Sequence, residues 1–196
     1  MKVQQWSAMT GVLALALTAC GGAGTPTVPP MGNGTGGSVP GLSTPVVSPV
    51  ISADEQAILD AVNLARTSAR SCGGTIFAAT TPLAWNARLA AAARLHSEDM
   101  ALTGYRGSDA DPEAAHIGSD GSTPQQRITQ AGYVWRVSGE NVAVGFAVGN
   151  VVAAWLSSPG HCSNIMKPEY KEMGVGYVVN AKTQYNTFFT QDFGSQ

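Results

Sequence analysis

The chain has 196 residues, 44% of them hydrophobic and only 12% charged, with a formal net charge of −2. That is too few cations, and too scattered, for a nucleic-acid surface, which needs a basic stripe or patch. Three cysteines and three histidines are few enough to be weighed one by one.

Residues 1–20 read as an export leader. Lys2 precedes an apolar run from Ala8 to Leu17, which is too short for a permanent membrane helix. The run ends in Leu17-Thr-Ala-Cys20, a sequence similar to the bacterial lipobox, in which the cysteine is acylated and becomes the mature N-terminus. The alternative is an ordinary signal peptide with a chance cysteine. Gly21 supplies no aspartate-type retention signal, so the expected position is the outer membrane or cell surface. Residues 21–52 contain no charge and consist largely of Gly, Pro, Thr, Ser and Val. Such a segment cannot bury enough apolar surface to offset its ordering entropy, and it reads as a disordered tether. As a coil it spans roughly 30 Å, and as polyproline II about 100 Å.

Residues 53–196 form one domain. Ser52-Ala-Asp-Glu55 is a capping box opening a helix to about Arg70, with Ile58, Val62, Ala65 and Ala69 as its apolar stripe. A Gly-rich loop holding Cys72 follows, then an extended approach through Pro82 and Trp85. Asn86 caps a second helix reaching Met100 or slightly beyond, with Leu89, Ala93, His96 and Met100 on one face. Thr123-Pro124 starts a third helix that Gly132 stops. Strands are expected near Tyr133–Val137 and Asn141–Val144, and a fourth helix near Val151–Ser157. Pro159-Gly160 should then hold His161 in a fixed turn, because proline sets φ and glycine opens conformations closed to other residues. Segments 174–179 and 185–193 read as a hairpin over a polar turn at 180–184. Helices mixed with antiparallel strands, without a βαβ repeat, give an α+β domain.

With Cys20 acylated, Cys72 and Cys162 remain in an oxidising compartment, where pairing is expected over a loop of about 90 residues. A reactive thiol at Cys162, beside His161, is the competing reading. His96 lies on the apolar face of the second helix and reads as a core residue. His116, in the polar segment 114–121, and His161 are read as held on loops, where binding explains a histidine better than packing does.

Six segments in one order carry a resemblance: Ile58-Leu-Asp-Ala-Val-Asn-Leu-Ala-Arg66, Pro82-Leu-Ala-Trp85 with Leu89–Met100, Gly139-Glu-Asn-Val-Ala-Val-Gly145, Trp155-Leu-Ser-Ser-Pro-Gly-His-Cys-Ser-Asn-Ile-Met166, Glu172-Met-Gly-Val-Gly-Tyr177 and Thr190-Gln-Asp-Phe-Gly194. Together they resemble the bacterial branch of the CAP superfamily of cysteine-rich secretory, antigen 5 and pathogenesis-related proteins. The resemblance implies an α-β-α sandwich, a small, mainly antiparallel sheet between helical layers. It also implies a cleft lined by two histidines and two acids. Matched by position, His116 is the first histidine, Glu140 the first acid and His161 the second histidine. The second acid falls on Ser158, a departure that weakens the set.

Two histidines and one carboxylate suffice for a divalent cation, zinc above all, with an open position. The bland reading is a hydrogen-bonded network that orders the loops. A Ser158–His161–Glu140 nucleophilic arrangement is available, but no Gly-x-Ser-x-Gly elbow and no His-Glu-x-x-His motif accompanies it. The expectation is a monomeric binding module for a lipid, sterol-like or other small amphiphilic ligand, or for another surface molecule. It would be tied to a membrane by its lipid and bind no nucleic acid; a metal- or serine-dependent hydrolase (a peptidase or esterase) is the alternative.

Overall fold

Ser52 begins the domain as the sequence requires: its hydroxyl accepts from the Glu55 N–H, and the Glu55 carboxylate accepts from the Ser52 N–H at 2.8 Å. The computed structural model describes residues 50–105, 107 and 111–196. The expected leader, the acylated Cys20 and the tether up to residue 49 lie outside the described residues. Among those described, no helix is long and apolar enough to cross a membrane.

The elements in chain order are α1 (Ala53–Arg66), β1 (Arg70–Cys72), β2 (Thr75–Phe77), β3 (Ala84–Trp85), α2 (Ala87–Thr103), a 3-10 turn (Glu113–His116), α3 (Pro124–Gln130), β4 (Val137–Val144), α4 (Val148–Ser157), α5 (Pro159–Met166), β5 (Glu172–Asn180) and β6 (Asn186–Ser195). Strands β3-β5-β6-β4 form the main sheet, with β3 parallel to β5 and the other pairs antiparallel. Helix α2 covers one face, with α3 packed on it; α1, α4 and α5 cover the other. This is the α+β, α-β-α sandwich expected.

Alternation along the strands assigns side chains to the two layers. Met173, Val175, Phe189 and Phe193 join Ile58, Val62, Trp155 and Ile165 in the larger core. Phe188 and Val142 face the other way, onto Met100 and Ala101 of α2. On β5 the residues turned toward α2 are Gly174 and Gly176. A Cβ on either would collide with the backbone of Ala90 or Ala93, so the paired glycines and the alanine run of α2 are one packing device.

Three local expectations are corrected. Helix α1 stops at Arg66, short of Arg70, and Ala69 is exposed. The chain turns because Arg70–Cys72 pairs with Thr75–Phe77 over Gly73-Gly74, two residues at φ 61° and 95°. The buried Arg66 guanidinium donates to the carbonyls of Thr81, Ile165 and Lys167, tying the helix end to distant segments. Second, there is one strand, β4, where two were expected; Tyr133–Arg136 is irregular, and the Tyr133 ring is buried against Leu89, Ala92 and Ile128. Third, Pro159-Gly-His161 is not a turn but the first turn of α5, with proline at the start of the helix, where its missing N–H costs nothing.

Cys72 and Cys162 form a disulfide, with Cα atoms 5.5 Å apart, joining the β1–β2 hairpin to α5. The bridge excludes the free-thiol reading of Cys162.

Candidate functional site

The Gly-Glu-Asn segment lies on β4, where Glu140 and Asn141 point to opposite sheet faces by the two-residue period of a strand. Glu140, on the α2–α3 side, is almost fully buried, with each carboxylate oxygen engaged. Oε1 lies 2.7 Å from His116 Nδ1, and Oε2 accepts from Arg127 Nη2 at 2.7 Å. Arg127, itself buried, also donates to the carbonyls of Ser122 and His116, which closes the segment carrying His116 onto α3.

Asn141, on the other face, donates to the Gln191 side chain and to the backbone carbonyl of His161. Asn164 of α5 donates to the Asn141 side chain and the Glu140 carbonyl. The two adjacent residues thus pin different layers: Glu140 fixes His116, and Asn141 fixes α5, on which His161 stands.

Charge in the site is uneven. Burial raises the Glu140 carboxyl's proton affinity, but the His116 hydrogen bond and the Arg127 charge outweigh it and hold the group below the ordinary glutamate range. For His116 burial lowers the pKa, and the hydrogen bond and charge of Glu140 overcome this, leaving it raised. His161 is pushed down to about 4, by burial first and then by the charge of His116, so the two imidazoles are within electrostatic reach. The His161 ring makes no side-chain hydrogen bond among the described residues. His96 donates or accepts through Nε2 at the Ala115 carbonyl, 2.8 Å away, and is 1% exposed, as a core histidine should be.

The cavity against this network has a volume of about 710 Å³. Its wall includes Asp111, Glu113, His116, Thr123, Glu140 and Asn164, together with the apolar Ala114, Ile117 and Pro124. Among the described residues, no lysine or arginine lines it. Of the four residues expected in the cleft, His116 and Glu140 are in the wall; His161 and Ser158 are not among its lining residues. Ser158 is the hinge residue between α4 and α5, and its side chain makes no capping bond. Glu140 holds His116, not His161.

Sequence reasoning missed Arg127, which looks like any surface cation of an amphipathic helix, and Asp192, which stands directly opposite Glu140 on β6. Asp192 lay within the quoted Thr190-Gln-Asp-Phe segment, but nothing in the sequence marked it as buried. For a cation, the available donors are few. Among the described residues, no group of three His, Cys, Asp or Glu side chains is gathered to hold a metal ion. With Glu140 saturated, the His116 Nε2 and the His161 ring are what remains of the expected donor set, and Glu113 is a further carboxylate in the wall.

A sandwich of this topology with a His–Glu cleft at the edge of β4 defines a CAP domain. The model of the cysteine-rich secretory protein (CAP) family matches residues 59–193, and the chain belongs to that family. It is similar to YkwD of Bacillus subtilis, at 33% identity over 113 residues, 57% of this chain and 39% of that one. It is also similar to the B. subtilis membrane protein YlbC, at 29% identity over 112 residues, 57% of this chain and 28% of that one. The matched region therefore spans well under half the length of either relative. Among solved structures, an extracellular SCP-domain protein of Bacillus anthracis superposes with a TM-score of 0.56 at 26% identity, covering 73% of this chain and 40% of that one. An outer surface protein of Borrelia burgdorferi superposes with a TM-score of 0.57 at 18% identity, covering 73% and 92%, a likeness of fold alone.

Proposed function

We propose that this chain is an extracytoplasmic CAP-domain binding module, anchored through an acylated Cys20, that takes a small amphiphile in the cavity beside His116. The observation that carries the reading is the commitment of both Glu140 oxygens, which fixes the His116 ring in the wall of a roomy, partly apolar cavity. Such a wall suits a ligand with a neutral or cationic head, set against Glu113, and an apolar body against Ile117 and Pro124. Surface placement is in keeping with the B. anthracis protein being extracellular and the B. burgdorferi one an outer surface protein. A hydrolase reading is less well supported: Glu140 orients the wrong histidine for Ser158, and Ser158 is absent from the cavity wall.

The test is native mass spectrometry of protein purified from the producing cells in mild detergent, beside assays with peptide and ester substrates. The reading expects an acyl adduct that Cys20→Ser removes and a co-purifying small molecule that His116→Ala loses, with no turnover. Bare protein, or turnover abolished by Ser158→Ala, would overturn it.

One observation favours a second occupant. Glu140 holds Nδ1 of His116 and leaves Nε2 free, the carboxylate–histidine arrangement found behind metal ligands. Two imidazoles with water in the remaining positions make a weak zinc site. Calorimetric titration of zinc should show binding reduced by His116→Ala and His161→Ala and unchanged by His96→Ala; equal binding by all would exclude it.

A further inference from the structure

The outer face of α3 carries a second depression, of about 350 Å³, lined by Gln125, Gln126, Thr129, Gln130 and Trp135. Every described lining residue is uncharged, and the exposed surface of the depression is mostly apolar. The indole of Trp135 is 38% exposed, and its Nε1 donates to Thr129 Oγ1 at 3.1 Å, which sets the ring's orientation against the helix. Tyr133, two residues earlier, anchors this segment in the core, while Val134 beside Trp135 is 77% exposed. The Gln125 and Gln130 side chains make no hydrogen bond among the described residues, so their amides are available. Gln125 also lines the cavity at His116.

An oriented aromatic ring beside free amides has a specific complement. The C–H face of a pyranose ring stacks on the π face, where partly positive hydrogens meet the negative ring quadrupole. Its hydroxyls meet amide groups that both donate and accept. The absence of cations from the lining disfavours sulfated or phosphorylated sugars and anionic lipid. Insertion into a bilayer would strip water from three glutamine amides without replacing their hydrogen bonds, which is costly.

From this we propose that α3 and Trp135 form a binding site for a neutral saccharide, stacked on the Trp135 indole and hydrogen-bonded by Gln125, Gln126 and Gln130. The site stands independently of what occupies the His116 cavity.

The test is NMR of the purified ¹⁵N-labelled chain, following indole N–H signals during titration with chitotetraose and, separately, cellotetraose. Trp135 should show a saturable shift with at least one of them, while Trp155, buried in the main core, should not move. Trp135→Ala should weaken binding about tenfold or more, Trp135→Tyr much less, and Gln130→Ala to an intermediate degree. Because Trp135 is on the surface, an unaltered Trp155 signal in the alanine variant certifies its fold. No saturable shift with either sugar, or undiminished binding by Trp135→Ala, would overturn the proposal. A Trp135 response to phosphatidylcholine vesicles but to neither sugar would overturn it in favour of a membrane contact.

Discussion

Glu140 and Asp192 stand directly opposite each other on β4 and β6, both buried, and only Glu140 has partners for its charge. Among the described residues, neither carboxyl oxygen of Asp192 has a hydrogen-bond partner. Burial, and then the charge of Glu140, push the Asp192 carboxyl well above the ordinary aspartate range, so it keeps its proton to higher pH than Glu140 does.

The two carboxyls should therefore respond differently to isosteric amides. Glu140→Gln removes a charge that Arg127 and His116 depend on and strands a buried guanidinium, at a cost of about 3–5 kcal/mol. Asp192→Asn replaces a carboxyl that resists ionisation by a neutral amide, and the change should stay within about 1 kcal/mol. Urea unfolding of both variants checks this, and equal losses or the reverse order would refute it.

The disulfide joins the β1–β2 hairpin to the residue after His161. Replacing both cysteines by serine should lower stability by about 2–4 kcal/mol. It should also speed amide exchange over residues 159–166, because α5 loses its tie to the hairpin. Hydrogen exchange unchanged in α5 would show that Asn141 and Asn164 hold this helix by themselves.

Fold class was legible in the sequence because its signals are local. Ser52, Asn86 and Thr123 cap helices wherever the rest of the chain goes, and the Gly174–Val179 pattern needs only its own alternation. The site was legible in part, through Glu140 and His116. What could not be read were long-range pairings. Arg127 becomes Glu140's counter-ion only after α3 docks beside β4, and Asp192 becomes its neighbour only through the β4–β6 register. His161 was misread for a related reason: Pro-Gly suggests a turn, but proline at the first helical position serves equally well, and the disulfide and Asn141 hold that segment as a helix.

Acid should destabilise the domain, with a sign fixed by burial. His96 is pulled down mainly by burial, and His161 to about 4. In the unfolded chain both protonate near 6.5. Below that pH the unfolded state binds more protons, so stability falls as pH drops from about 6.5, and the His161 contribution levels off near 4. His116 has the opposite sign: its pKa is raised, so its contribution is complete below about 6.5 and is lost as pH rises through the raised value. With chelator present, His161→Gln should flatten the acid limb of stability against pH by roughly 2–3 kcal/mol at most. An unaltered limb would show that His161 is not desolvated.

Gly174 packs where α2 touches the sheet, and the space for a methyl group there is filled by the backbone of Ala90. Gly174→Ala should cost about 3 kcal/mol or more, since a helix backbone, unlike a flexible side chain, cannot yield locally. Thermal unfolding close to wild type would contradict the packing.

The central claim is that Glu140 sets the charge of the site by binding His116 and leaving His161 without a carboxylate. Titration of the histidine ring signals by ¹⁵N–¹H NMR measures this directly in the chelator-treated protein. The account predicts that His116 titrates above the ordinary histidine value and His161 far below it, near 4. It further predicts that Glu140→Gln lowers the His116 value while the protein remains folded. Ordinary titration of both rings, or an elevated His161, would contradict it.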